Sequence, residues 1–140
     1  MDKPEPLLTI SAVSKKFGEI EALSNVDVVI NSGQVIGLVG GNGAGKTTLL
    51  RLISGVLEPT TGSLMFKDRK VSNSRERIGV VPESTGLYAR LTAWENIRFH
   101  SRIYGIDDSV SWARTYHFAK RLDIKDELSR HTKGFSRGMR

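Results

Sequence analysis

The sequence predicts an α/β fold, and three observations taken in chain order predict it. Strand patterns occupy residues 7–36, a glycine-rich segment separates an apolar run from a helical pattern, and helical periodicity returns after Pro82. The 140 residues are enough for one ordinary domain with a hydrophobic core. We therefore expect one domain or part of one, with strands first and helices last.

The first pattern is a set of short strands. Val26, Val28 and Ile30 alternate with other residues, which is the period of a half-buried strand. A turn at residues 31–33 ("NSG") leads into residues 34–39 ("QVIGLV"), which are apolar on both faces. Because strands of a parallel sheet are covered on both sides, we expect this run to be a buried parallel strand.

A helix and two further strands follow. The pattern over residues 46–54 is helical, with Gly55 as its stop. Its apolar residues are Leu49, Leu50, Leu52 and Ile53. After the turn "EPTTG" at residues 58–62, "SLMFKD" and "RIGVVPE" each predict a strand, and Lys67 before Asp68 makes the first of them resemble the end of a hairpin.

Two helices are predicted after Pro82. Thr92 and Glu95 have the spacing of a capping box, and Gly105 closes the helix that they begin. One face of this helix carries Ala93, Ile97, His100 and Tyr104. A second helix is expected over residues 109–122, with Trp112, Tyr116 and Ala119 on one stripe.

The composition excludes several classes of protein. No apolar run approaches the roughly 18 residues of a membrane span. The N-terminal "MDKPEPLLTI" lacks the basic start and apolar core of a signal peptide, so export is not expected. The chain has no cysteine, which excludes disulfides and suits a cytosolic protein.

The net charge of +6 is concentrated near the C-terminal end. Residues 114–140 contain eight Lys or Arg residues and three acidic ones. This excess is compatible with a surface that faces nucleic acid or another anion. The favoured interpretation is a solvated helical face, or a fragment whose compensating acids lie elsewhere.

The glycine-rich segment carries the strongest chemical signal. Gly40, Gly45, Lys46 and Thr47 fit the pattern G-x-x-x-x-G-K-[ST] between an apolar run and a helix. Such a loop surrounds nucleotide phosphates with backbone N–H groups, while the lysine meets the β and γ oxygens and the hydroxyl takes one Mg²⁺ position. Side chains on the glycines would obstruct the phosphates or forbid positive φ angles. The alternative is a chance cluster of glycines at a turn. The predicted phosphate-binding residues are Gly40, Gly41, Asn42, Gly43, Ala44, Gly45, Lys46, Thr47 and Thr48.

Together these segments resemble the ATP-binding cassette (ABC) ATPases. "GGNGAGKTTLLRLISGVLEPTTG" is similar to their Walker A loop and helix, "RIGVVPE" to the strand entering their Q-loop, and "FSRGM" to their signature motif. The segment "VPESTGLYARLTAWENIRFHSRIYG" is most similar to the sequences of the branch that includes sodium and drug exporters. The resemblance implies a P-loop NTPase fold with an N-terminal antiparallel β subdomain and a RecA-like core over about residues 1–83. The start of a helical subdomain is expected over about residues 84–140, truncated after the signature motif.

The resemblance also implies further site residues. Phe17 corresponds to the aromatic residue that stacks on adenine, although a Phe at this strand end could instead face the core. Glu83 stands where most members have the Gln that reaches Mg²⁺ and the attacking water, or it caps the turn after Pro82. Ser136 and Gly138 correspond to signature residues that contact the γ-phosphate bound to a second subunit.

Departures from the family pattern are visible at several positions. Arg137 and Met139 stand where many members have Gly and Gln, and Gly41 stands where proline is frequent. No apolar strand ending in Asp-Glu, which would be a Walker B motif, is found. His100, His117 and His131 do not have the position of the switch histidine, and we expect them at a surface or interface. The sequence is therefore interpreted as the N-terminal part of an ABC ATPase domain.

The expected function is the ATP-binding subunit of an ABC exporter that uses ATP and Mg²⁺. Its expected partners are a separate membrane permease and a second ATPase subunit in a head-to-tail dimer, on the cytoplasmic face of the membrane. Lys46 and Glu83 are the expected catalytic residues, and Thr47 and Glu83 the expected metal ligands. One alternative is a nucleotide-binding module without turnover. Another, with nucleic acid as the partner, would be suggested by the basic C-terminal stretch, but nucleic acid is not the expected partner.

Overall fold

A computed structural model describes residues 5–81, 86–136 and 138 of the chain. The chain divides into two compact units, Met1–Val80 and Val81–Arg140. Among the described residues, no helix combines the length and apolar composition needed to cross a bilayer.

The first unit consists of a small sheet and one helix. Its elements are β1 (Pro6–Phe17), β2 (Ile20–Asn31), α1 (Lys46–Ile53), β3 (Thr61–Phe66) and β4 (Arg69–Lys70). Every strand pairing is antiparallel, and the strand order is β2-β1-β3-β4. Short 3₁₀ turns follow at Val71–Asn73 and Arg75–Arg77. The predicted strand of "SLMFKD" and its hairpin end are thus confirmed as β3, a turn and β4.

The core of this unit lies between the sheet and α1. Strand β1 contributes three buried residues, and α1 contributes Leu49 and Leu52. The alternating residues predicted in β2 are partly buried and pack against the same core. At full burial each such side chain stabilises the fold by roughly 1.5–3 kcal/mol. The buried residues are Leu8, Ile10, Val13, Leu23, Leu49, Leu52, Leu64 and Val71.

Helix α1 ends as predicted at Gly55. The Val56 N–H donates to the Arg51 carbonyl at 3.0 Å, and the Gly55 N–H donates to the Leu52 carbonyl at 3.0 Å. This pair of bonds is the Schellman arrangement, in which a residue with positive φ follows the helix, and Gly55 has φ of 71°. The chain is thereby turned toward β3 directly after the helix.

Two predicted strands do not form. Residues 34–41 and 78–81 have no strand conformation in the structure. Val35 and Val39 are 98% and 94% exposed, and Val81 is 91% exposed. A strand needs a neighbour to accept and donate its ladder bonds, and no other part of residues 5–81 pairs with either segment. The prediction of a buried parallel strand at residues 34–39 is therefore wrong, and so is that of a strand over the described residues 78–81 of "RIGVVPE".

The second unit is helical. It contains α2 (Ala93–Ile103) and α3 (Asp108–Arg121), followed by 3₁₀ turns at Lys125–Ser129 and Thr132–Gly134. The predicted capping box is present: the Thr92 N–H donates to Glu95 Oε2 at 2.8 Å, and the Glu95 N–H donates to Thr92 Oγ1 at 3.2 Å. The Thr92 N–H, and after it the Thr92 hydroxyl that lies 3.0 Å from the same Oε2, donate to the carboxylate and lower the pKa of Glu95. Helix α2 ends at Ile103, the predicted stop Gly105 follows its C-cap residue with φ of 69°, and α3 begins one residue before its predicted start.

Buried polar side chains hold the second unit together. Asn96 is 2% exposed, and its Oδ1 accepts from the Tyr88 N–H at 2.8 Å. Its Nδ2 donates to the carbonyls of Thr92 at 2.9 Å and Tyr88 at 3.2 Å. The Thr132 hydroxyl donates to the same Tyr88 carbonyl at 3.0 Å. The polypeptide before α2 is therefore fixed to that helix by side-chain hydrogen bonds.

An exposed ion pair joins the end of α2 to the start of α3. Arg102 Nε lies 2.9 Å from Asp108 Oδ1, and Arg102 Nη2 lies 2.6 Å from Asp108 Oδ2. The hydrogen bonds from Arg102 are the main reason that the pKa of Asp108 is lowered from its ordinary 3.8. A lowered pKa in the folded state means that the stabilisation is complete above about pH 4 and is lost as the pH falls through the folded value.

We expect Asp108→Asn to lower the urea midpoint at pH 7 and to flatten its decline between pH 5 and pH 3. Tryptophan fluorescence provides the measurement, because Trp94 and Trp112 both lie in the second unit. Asp107→Asn is the matched control, since it removes an adjacent charge but no hydrogen bond to Arg102. Equal flattening in both variants would contradict a specific role for the pair.

Candidate functional site

The glycine loop connects the exposed segment after β2 to α1. Gly43 and Gly45 have φ of 83° and 82°, a region in which residues with a side chain are strained. Gly45 is also packed tightly: a Cβ there would lie 2.5 Å from the Ala22 carbonyl oxygen and 2.6 Å from Leu23 Cδ2. A Cβ at Gly43 would meet nothing within 4 Å. The start of α1 is thus pressed against β2, whereas the middle of the loop is open.

Lys46 is folded back over the loop. Its Nζ donates to the carbonyl oxygens of Gly40 at 2.7 Å and Gly41 at 2.6 Å. Both acceptors are neutral and exposed. An ammonium held in this way can exchange carbonyl partners for phosphate oxygens, which carry full charge and bind it more strongly. The structure therefore places the predicted lysine at the predicted loop, oriented by the backbone that would surround the ligand.

The N-terminus of α1 offers free donors. Gly45 is the N-cap residue and makes no side-chain cap, and the first intrahelical bond runs from the Leu49 N–H to the Gly45 carbonyl at 2.8 Å. In the part of the first unit that the structure describes, the N–H groups of Lys46, Thr47 and Thr48 have no protein acceptor. No acidic residue lies in the first turn. Converging N–H groups at a helix start suit an oxyanion.

Phe17 lies at the end of the β1–β2 hairpin. It pairs with Ile20 across the turn and is 46% exposed, so it is not the core-facing residue of the alternative interpretation. Leu23, whose side chain lies against Gly45, pairs with Lys15, and Lys15 Nζ lies 5.1 Å from the centre of the Phe17 ring. The hairpin end that carries the exposed ring is therefore the end next to the glycine loop.

The turn "EPTTG", which lies outside the predicted phosphate-binding residues, holds β1 just before Phe17. The Thr60 N–H donates to the Ser14 carbonyl at 2.9 Å, and the Lys16 N–H donates to Thr60 Oγ1 at 2.9 Å. Lys15 Nζ donates to the Glu58 carbonyl at 2.8 Å. Short-range patterns give no sign of these bonds, because they join residues more than 40 positions apart. The only signal available was the strand end beside the turn "EPTTG".

The residues of the signature segment lie in the second unit. Ser136 and Gly138 are exposed, and Gly138 also lines an apolar cavity of about 560 Å³ beside α2. His100 and Tyr104, predicted on one face of α2, line the same cavity. None of residues 40–48 lines this cavity, so it is not the predicted nucleotide site. Arg137 and Met139 lie outside the described residues.

Only one of the two predicted metal ligands lies among the described residues. Thr47 is exposed in the first turn of α1, and Glu83 lies outside the described residues. Within residues 5–81, 86–136 and 138, no group of three His, Cys, Asp or Glu residues could hold a metal ion. A single hydroxyl fits Mg²⁺ only as one ligand of an ion that is also bound by phosphate oxygens. The two histidines predicted on helices, His100 and His117, lie on α2 and α3.

The chain is similar to a known protein family and to known proteins over most of its length. A family model described as "ABC transporter" matches residues 23–140. The ABC transporter ATP-binding protein NatA of Bacillus subtilis (strain 168) is 36% identical over 143 aligned residues, covering 96% of the chain. The glucose import ATP-binding protein GlcV of Saccharolobus solfataricus is 37% identical over 141 residues, covering 94% of the chain.

A solved structure shows the same fold. The structure described as the ATP-binding subunit of an ABC transporter superposes with a TM-score of 0.79 at 28% identity, over 95% of this chain and 57% of the other. The chain spans 58% of the length of NatA and 40% of that of GlcV.

Proposed function

The chain belongs to the ABC transporter ATP-binding family, and on that premise we propose that it is the ATP-binding part of an ABC exporter subunit. In this proposal residues 40–48 hold the phosphates of ATP, and Phe17 stacks on the adenine. The observation that carries it is the arrangement of Lys46, whose Nζ is held at 2.6–2.7 Å by two loop carbonyls beside the free N–H groups of α1.

Binding follows from charge and geometry. The triphosphate brings several negative charges to a loop that has donors and one ammonium but no acid in the first helical turn. Lys46 exchanges two neutral acceptors for charged oxygens, which adds ion–ion attraction to hydrogen bonds that the ammonium already strengthens. The N–H groups of Lys46, Thr47 and Thr48 gain acceptors without any change in helix geometry.

The residues present fit Mg²⁺ as a companion of the nucleotide. Thr47 would supply one oxygen ligand, and Glu83 is proposed as the second protein ligand. When bound, Mg²⁺ neutralises charge on the β and γ oxygens. The proposed catalytic roles are phosphate stabilisation by Lys46 and orientation of the attacking water by Glu83. An ionised Glu can accept the hydrogen bond of that water but cannot donate one, unlike the Gln of most relatives.

The partners and direction of transport rest on family resemblance. We propose a membrane permease, and a second ATPase subunit whose ATP is contacted by Ser136 and Gly138, with the protein on the cytoplasmic face of the membrane. The exporter assignment rests on residues 81–105, whose sequence resembles that of sodium and drug exporters. It is tested by reconstituting the full-length subunit with its permease. ATP supplied on the cassette side should move substrate away from that side, and accumulation toward it would contradict export.

A second candidate is a nucleotide-binding module without turnover. The sequence leaves it open, because no apolar strand ending in Asp-Glu is found within these 140 residues. The two candidates share ATP binding and differ in hydrolysis, so a phosphate-release assay with this chain separates them. Turnover that Lys46→Ala abolishes would contradict the non-catalytic candidate.

We expect Lys46→Ala to weaken the binding of Mg-ATP by at least about tenfold, because one charge-assisted interaction contributes roughly 1.5–3 kcal/mol. Titration calorimetry with the whole chain provides the measurement. Lys70→Ala is the matched control, since Lys70 is an exposed lysine of the same unit on the edge strand β4. The proposal fails if the two variants bind Mg-ATP equally well, or if the unmodified chain does not bind it.

A further inference from the structure

We propose that Lys15 is a positioning residue that fixes the Phe17 ring for stacking on adenine. The inference rests on the proposed function, because it assumes that Phe17 meets the base. It starts from one contact set: Lys15 Nζ lies 5.1 Å from the centre of the Phe17 ring and 2.8 Å from the Glu58 carbonyl oxygen.

The two contacts of Lys15 act together. A cation within about 6 Å of a ring centre is attracted to the π face. The hydrogen bond to Glu58 anchors the same ammonium to a different part of the chain, so its position does not depend on the ring alone. Phe17 is 46% exposed, which leaves ring surface available to a ligand. The ammonium thus backs the ring from one side and leaves it open to a base.

The Glu58 carbonyl that binds Lys15 is itself held in place. Thr60, two residues after Glu58, exchanges hydrogen bonds with β1: its N–H donates to the Ser14 carbonyl, and its Oγ1 accepts from the Lys16 N–H, both at 2.9 Å. The segment 58–60 therefore lies beside β1 as far as Lys16, the residue before Phe17. An exposed Phe at a strand end would otherwise sample several rotamers, and ordering it would oppose binding.

One continuous stretch of the chain joins the proposed phosphate-binding residues to the segment that holds Lys15. Residues 40–48 are proposed to hold the phosphates, α1 follows, and the chain then turns at Gly55 into the segment 58–60. Lys15 does not face the loop in the contacts that the structure shows, and its hydrogen bond goes to Glu58. We therefore assign it to the base end of the site and not to the phosphate end.

The test compares a ligand that has a base with one that lacks it. Lys15→Met keeps an unbranched side chain but removes the charge and the donor. We expect it to bind Mg-ATP about two- to fivefold more weakly, the range of an exposed cation–π contact. We expect its affinity for Mg-tripolyphosphate, read by competition against a fluorescent ATP analogue, to stay within about twofold of the unmodified chain, because no phosphate contact is removed.

Two further lysine variants complete the comparison of the two ligands. Lys15→Arg should bind Mg-ATP within about twofold of the unmodified chain, because a guanidinium can cover the ring and donate to Glu58. Lys16→Met is the matched control: the neighbouring lysine is exposed and lies 3.8 Å from Glu21 in a surface ion pair, so its loss should leave both ligands unaffected.

The outcomes separate this inference from the proposed function. If the unmodified chain binds no Mg-ATP, both are wrong. If Phe17→Ala weakens Mg-ATP by about fivefold or more, the range of base stacking, while Lys15→Met changes nothing, the inference alone is wrong. Equal weakening of Mg-ATP and Mg-tripolyphosphate by Lys15→Met would also overturn it, because Lys15 would then act on the phosphates or on the fold.

Discussion

Gly45→Ala is expected to lower the free energy of unfolding of the first unit by about 3 kcal/mol, from a strained left-handed residue and from overlap with β2. The added Cβ would lie 2.5 Å from the Ala22 carbonyl oxygen, a backbone atom that cannot move without disturbing the strand. Leu23, at 2.6 Å, is a core residue with little room to shift. We expect Mg-ATP affinity to fall as well, because α1 and its N–H groups would be displaced.

Gly43→Ala separates the two causes of that loss. Gly43 has nearly the same φ, but its added Cβ would meet nothing within 4 Å, so only the conformational cost of about 1–2 kcal/mol is expected. Urea unfolding followed by circular dichroism, with hydrogen exchange of β2 amides, measures both variants. Equal destabilisation would show that contact between the loop and β2 contributes nothing.

The second large effect is expected at Asn96 in the helical unit. Asn96→Asp replaces a donating amide by an acceptor that faces the carbonyls of Tyr88 and Thr92. The side chains have nearly the same volume, so the change tests hydrogen bonding and not packing. We expect a loss of about 3 kcal/mol or more, because a charge would be buried without a partner. Tryptophan fluorescence during urea unfolding at pH 7 provides the measurement.

Asn73→Asp is the matched control for this substitution. Asn73 is exposed and lies in the first unit, so its unfolding is followed by circular dichroism, and the same change of charge should alter stability by less than about 0.5 kcal/mol. At pH 5 the Asn96→Asp variant should recover part of its loss, because a protonated carboxyl regains one donor. A loss that is unchanged between pH 7 and pH 5, or one matched by the control, would contradict the proposed cause.

The features predicted best are those that depend on residues close together in the sequence. The capping box of Thr92 and Glu95 and the helix stops at Gly55 and Gly105 are short-range chemistry, and all are confirmed. The glycine pattern of residues 40–47 is equally local. The predicted ABC ATPase family and fold class are also confirmed, by the family match and by the superposition.

Contacts between distant residues could not be predicted. The bond from Lys15 to Glu58 spans 43 positions, and neither residue is a predicted site residue. The role of Asn96 could not be predicted for a similar reason. The sequence pattern indicates the apolar face of α2, whereas the most buried residue of that helix is polar. Its hydrogen-bond partners lie in the irregular segment before the helix and in the N-cap residue, where periodicity carries no information.

The predicted strand at residues 34–39 shows another limit. Strand propensity describes how well side chains fit a pleated surface between neighbours, and here the described residues supply no neighbour. The pattern "QVIGLV" indicated a preference that the structure does not satisfy. Antiparallel β1 and β3 succeed because their partners follow within the same unit.

The exposed segment 34–39 has a practical consequence for every solution experiment on this chain. Val35 and Val39 lie almost fully in solvent, and the backbone between them takes part in no sheet among the described residues. Such a segment is a template for self-association by strand addition between molecules. Samples should therefore oligomerise more as protein concentration rises. Dilute titrations at several concentrations will be needed to keep aggregation from being read as weak ligand binding.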